Sequence, residues 1–78
     1  IGPIGPRLHS QISRFEGALA SAESVDLYTA VWLTLNCAPS LRQLDSSRVG
    51  LSIRRYESTV EKLGYDELAR RYAALARD

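Results

Sequence analysis

Residues 25–38 set the strongest limit on what this chain can become. Val25, Leu27, Tyr28, Ala30, Val31, Trp32, Leu33, Leu35 and Ala38 crowd together so closely that they cover more than one face of a helix. A helix that is apolar nearly all round lies at the centre of a bundle or is shared with another chain. It does not cross a bilayer, because no apolar run in the sequence approaches about 18 residues. The whole chain has 78 residues and one cysteine, so it has room for one core and no internal disulfide framework. Domains near this size hide only about 60% of the surface their unfolded chain exposes. Stability then has to come from well-packed helices or from a partner that covers more surface.

The flanking segments carry helical periodicity. Leu8, Ile12, Phe15, Leu19 and Ala22 recur at steps of 4, 3, 4 and 3, which places them on one stripe of a helix from Arg7. Ahead of it, residues 1–6 (Ile-Gly-Pro-Ile-Gly-Pro) read as an extended lead-in or an appended remnant, because Pro3 and Pro6 fix their own backbone and bias Gly2 and Gly5 away from helix. They also lack the cationic start and apolar stretch of a signal peptide. Ser24 is placed to cap the central helix, with Asp26 in its first turn. Asn36 and Pro39 are its expected terminators.

Beyond Pro39 a short helical stretch turns Leu41 and Leu44 inward. Residues 45–52 then allow two readings. Either Asp45 or Ser46 caps one long helix to Leu63, with Val49, Ile53, Tyr56, Val60 and Leu63 as its stripe, or Gly50 forms a turn and Ser52 caps a separate helix. The unbroken stripe favours the long helix, since a glycine inside a helix costs only about 1 kcal/mol relative to alanine. Gly64 is a natural stop. A last helix follows with Leu68, Tyr72 and Leu75 inward. The sequence predicts an all-α fold: a small four-helix bundle in a single domain at 7–78. Its expected core is Leu8, Ile12, Phe15, Leu19, Tyr28, Val31, Trp32, Leu35, Leu44, Val49, Ile53, Tyr56, Val60, Leu63, Leu68, Tyr72 and Leu75.

Chemistry is sparse. One His and one Cys do not make an ordinary zinc site. Cys37 reads as a small core residue, and His9 lies on the polar side of the first helix with no third group to complete a catalytic set. Glu57 and Glu61 sit one turn apart among Arg54, Arg55, Lys62, Arg70 and Arg71, which describes a solvated, ion-paired surface. No glycine-rich phosphate loop is present. No catalytic, cofactor-binding or metal-binding residues are assigned, and no enzyme is expected. Ten Lys+Arg against nine Asp+Glu gives a net charge of +1, too near neutral to announce a nucleic-acid or membrane partner. Nine of the ten cations are arginine, a bias that fits a GC-rich bacterial or phage genome. The triplets Arg54-Arg55-Tyr56 and Arg70-Arg71-Tyr72 place tyrosine inward and arginines outward.

Three resemblances to known families can be read from the chain. Ser40-Leu41-Arg42-Gln43-Leu44, then Val49-Gly50-Leu51-Ser52-Ile53-Arg54-Arg55-Tyr56, Val60 and Leu63-Gly64 resemble the helix-turn-helix unit of bacterial regulators across residues 40–64. That resemblance implies DNA binding, with Ser52, Arg54, Arg55 and Ser58 facing the major groove and Arg42 and Arg48 adding phosphate contacts. The pattern departs from such units at Asp45, where a small apolar residue usually packs. The arginine-rich helical character also looks like that of phage small terminase subunits, which form rings and recognise DNA. Leu44-Asp45-Ser46 with Val49, Ile53, Tyr56-Glu57 and Val60 is similar to the phosphopantetheine site of acyl carrier proteins, which would make Ser46 the modified residue. The apolar helix around Trp32 replaces that family's usual long loop.

The leading expectation is a non-enzymatic helical protein–protein interaction module of the cytoplasm, with a protein partner or a homo-oligomer and no membrane. Its interaction surface is expected at Leu27, Val31, Trp32 and Leu33. The alternative is a DNA-binding helix-turn-helix-like module that uses Arg42, Arg48, Ser52, Arg54, Arg55 and Ser58.

Overall fold

The computed structural model describes residues 4–77, with side chains from Ser10 onward. Five helical segments follow in order: α1 (Ile4–Glu23), α2 (Leu27–Arg42), α3 (Ser46–Arg55), α4 (Glu57–Leu63) and α5 (Asp66–Arg77). Segments α3 and α4 are two halves of one rod bent at Tyr56, so the chain forms a bundle of four rods. No strand occurs among the described residues.

Local chemistry accounts for most of the boundaries. The α1 helix begins at Ile4 and takes up Gly5 and Pro6, which the sequence reading placed in an extended lead-in. A proline in the first turn forfeits nothing, because the first four N–H groups of a helix have no partner within it. Residues 1–3 lie outside the described residues, as do the side chains of Leu8 and His9. The cap of α2 is Asp26 rather than Ser24. The Asp26 carboxylate accepts from Thr29 N and Thr29 Oγ1, each at 2.7 Å. Ser24 turns back instead, donating to the Ser21 carbonyl at 2.6 Å.

Pro39 does not end α2, which runs on to Arg42. The loss is local, since the Leu35 carbonyl forgoes one donor while the packing on either side holds the helix together. At the next junction Asp45 caps α3 by accepting from Arg48 N at 3.0 Å. Gly50 lies inside α3, so the long-helix reading holds there, and Gly50-Leu51-Ser52 makes no turn. The rod bends six residues later. Tyr72 Oη donates to the Ile53 carbonyl at 2.5 Å, taking the acceptor that an unbroken helix offers to the amide of residue 57. Gly64 closes α4 at φ 75°, in the left-handed region where glycine is strain-free.

The Cα shell measures 46 × 27 × 15 Å, and its short axis is what two helix layers about 10 Å apart require. The α2 helix is the hub, packing against α1, α3, α4 and α5. The core holds Ile12, Phe15, Leu19 and Ala22 from α1, Ala30, Val31 and Ala38 from α2, and Val49, Ile53, Tyr56, Val60, Leu68, Tyr72 and Leu75 from the rest. One core expectation needs correction: Tyr28 is exposed, whereas Trp32, Leu35, Leu44 and Leu63 are half-buried and pack against the core. Buried Ala30, Thr34 and Ala38 form the true inner face of α2. Thr34 settles its hydroxyl on the Ala30 carbonyl at 2.9 Å.

Candidate interaction surface

Among the described residues, five large apolar or aromatic side chains are left exposed: Leu51 stands alone on α3, and Val25, Leu27 and Tyr28 lie at the start of α2, where Tyr65 meets Tyr28. Val25 and Leu27 flank the α2 cap and are 74% and 46% exposed. Beside them the ring of Tyr28 stands edge-on to two others, at 5.5 Å from Tyr65 and 6.3 Å from Trp32. Edge-to-face geometry at these distances is the preferred aromatic arrangement. Arg71 reaches back from α5 to lie 5.8 Å above the Trp32 ring. The Trp32 Nε1 donor is buried with no acceptor among the described residues. Farther along the same side of α2, Leu35, Asn36, Pro39 and Arg42 face Arg71, Ala74 and Leu75 of α5 across a shallow cleft. Arg42 Nη1 donates to the Leu75 carbonyl at 2.8 Å and ties the two helices together at that end.

Of the surface expected from sequence, Leu27 is exposed and Trp32 and Leu33 are half-buried, whereas Val31 is wholly buried and belongs to the core. The reason is angular. Val31 sits one residue from Ala30 and three from Thr34, on the stripe that faces the bundle. Tyr28, Tyr65 and Val25 are surface members that the sequence reading missed. Tyr28 was assigned to the core, and no spacing rule reveals that Tyr65 folds back onto it.

The arginines assigned to DNA contact divide between two sides of α3. On one side, Arg48 grips Glu16 with Nε at 2.9 Å and Nη2 at 2.7 Å, and also donates to Ser13 Oγ at 3.1 Å. Arg55 holds Glu23 in the same two-pronged way, at 2.9 and 3.2 Å. Each pair spans from α1 to α3, and the pairs recur seven residues apart on both helices. The two helices therefore run in the same sense with a ladder of ion pairs between them. Tyr56 Oη also donates to Glu23. A cleft of about 210 Å³ lies along this ladder, with Ser52 on one wall. The bonds from Arg48 and Arg55 hold the carboxyls of Glu16 and Glu23 below the usual carboxylate range. Burial, reinforced by Glu23, pushes Tyr56 up to about 12.

On the other side, Arg42 and Arg54 line a shallow cleft with Ser46, Gly50, Ile53, Ala76 and Arg77. Ser58 is exposed on α4, beyond the bend. Ser46 is exposed at the first position of α3. Cys37 is half-buried on α2, and Glu57 and Glu61 stand exposed along α4. No group of three or more metal-ligating side chains occurs among the described residues. No described helix is long and apolar enough to cross a membrane.

No family model, curated protein or solved structure matches the chain.

Proposed function

We propose that this chain is a non-enzymatic helical module for protein–protein interaction, and that it associates with itself. One observation carries the reading: exposed Tyr28 and Tyr65 and half-buried Trp32 form one aromatic cluster, with exposed Val25 and Leu27 next to Tyr28 along the chain. A soluble monomer scatters its surface hydrophobes singly, and a contiguous group with aromatic members marks a contact surface. Light scattering on the eluting peak tests the reading. At roughly 100 μM the mass should exceed that of one chain, as fits a contact of modest area. Tyr28→Ala with Tyr65→Ala should return it to the monomer mass with the helical circular-dichroism signal intact. A wild-type chain that stays monomeric throughout overturns the proposal.

A DNA-binding reading retains one specific observation in its favour, the shallow cleft that Arg54 and Arg77 line together. It loses support from Arg48 and Arg55, whose charges Glu16 and Glu23 already answer. Duplex binding that weakens steeply with salt and collapses in Arg54→Ala/Arg77→Ala would favour it over self-association. Absence of binding at low salt removes it.

A further inference from the structure

We infer that the cleft between α4 and α5 is a separate docking surface, and that its occupant is a cationic amphipathic helix of another protein. This goes beyond self-association and uses no part of the Trp32 surface.

The inference starts from two carboxylates. In the sequence, Glu57 and Glu61 stand among Arg54, Arg55, Lys62, Arg70 and Arg71, where ion pairs are expected. The fold sends those cations elsewhere. Arg55 holds Glu23, and Arg70 and Arg71 share Glu67. Arg54 lies back along α3, where its Nη2 would stand 3.9 Å from a Cβ added at Gly50. Lys62 is not among the residues that line the cleft. Glu57 and Glu61 are left exposed one turn apart, and neither enters an ion pair among the described residues. Like charges at that spacing work against the helix that carries them, and α4 has only seven residues. Cations brought by a partner relieve that repulsion.

Behind this acidic rim the cleft is apolar. It encloses about 470 Å³ over a buried floor of Val60 and Tyr72. Its α5 wall is Ala69, Ala73 and Ala76, at steps of 4 and 3. Ala76 also borders the cleft of Arg54 and Arg77, so the acidic character is confined to the α4 wall. Alanines in a row make a low wall, over which a third helix can approach to about 8 Å between axes. Both walls are helices, and no strand edge among the described residues offers pairing to an extended peptide. A helix with two arginines four residues apart repeats the spacing of Glu57 and Glu61, so each guanidinium meets one carboxylate. The α5 wall is about 10 Å long, two helical turns, which makes the contact small and transient.

Two synthetic peptides of about 14 residues test this. Both carry alanine and leucine along one helical face. Beside that face one has two arginines four residues apart, and the other has glutamates there. Titrated into the isotope-labelled wild-type chain at low salt, the arginine peptide should shift the amide resonances of Val60, Ala69, Ala73 and Ala76 saturably, and the glutamate peptide should not. Glu57→Gln with Glu61→Gln should weaken the arginine peptide about tenfold. Ala73→Gln, which raises the low wall, should weaken it too, with the helical circular-dichroism signal intact. The inference falls if both peptides bind alike, if the double glutamine variant binds undiminished, or if no saturable shift occurs in the cleft. Each of those outcomes can be read whether or not the chain self-associates. If the same amides shift when the chain alone is concentrated, the occupant is a second copy and the inference falls as well.

Discussion

Two buried tyrosines shape the rod formed by α3 and α4, and each does so through its hydroxyl. Tyr72 claims the Ile53 carbonyl and bends the rod at Tyr56, while Tyr56, held beneath the surface, points its own hydroxyl at Glu23. The linked pKa shifts work at opposite ends of the pH scale. Glu16 and Glu23 are depressed in the folded chain, chiefly by their arginine bonds, so their stabilisation is present above the unfolded value of 4.5 and is lost as pH falls through the folded values. Tyr56 is raised from 10.0 to about 12, first by burial, so its share is present below pH 10 and is lost as pH rises through 12. Urea denaturation at a series of pH values should therefore show a plateau with falling limbs on both sides. Tyr56→Phe should cost about 1 kcal/mol at neutral pH and flatten the alkaline limb in part. Burial also raises Tyr72, so some of that limb should remain. An alkaline limb unchanged in Tyr56→Phe would contradict this account.

At the scale of elements, the two glycines of the α3–α4 rod are opposites. Gly50 sits inside α3, where an added Cβ would meet only Arg54 Nη2 at 3.9 Å. Gly64 sits at φ 75°, where any Cβ is strained however open the space. Gly50→Ala should stabilise by about 0.5–1 kcal/mol. Gly64→Ala should destabilise by about 1–2 kcal/mol. Thermal denaturation of both variants at one concentration gives the two signs. If Gly50→Ala destabilises, α3 is not a regular helix there.

These elements also show what the sequence could reveal. The stripes of α1, α3, α4 and α5 were legible, because large apolar side chains at steps of 3 and 4 have one way to face a core. Of the inner face of α2 only Val31 was legible. The apolar residues of that helix point every way, and the deciding ones, Ala30, Thr34 and Ala38, are small or polar and carry little signal. They are buried because neighbouring helices approach closely there. Pro39 misled for a related reason: a local rule against proline gave way to tertiary packing on both sides of it. The bend at Tyr56 was hidden because its cause, Tyr72, lies 19 residues from the carbonyl it captures. On the candidate surface, Leu27, Trp32 and Leu33 followed from excess hydrophobicity, while Tyr65 joined them only through the fold.

At the scale of the molecule, a particle two helices deep cannot cover its hub on every side. Four partners enclose the inner face of α2, and its outer face stays bare and uncharged. If a second copy covers that face, folding and association are linked, and apparent stability depends on how much protein is present. Raising the total concentration from far below the dimer dissociation constant to tenfold above it adds about 1 kcal/mol to the folded state. For a domain of this size that moves the melting midpoint by about 4–8 °C. Calorimetry over two decades of concentration should show this rise in the wild type and a flat midpoint in Tyr28→Ala with Tyr65→Ala. A midpoint equally flat in both, with light scattering reporting one chain, means that the bare face of α2 belongs to a partner other than this chain.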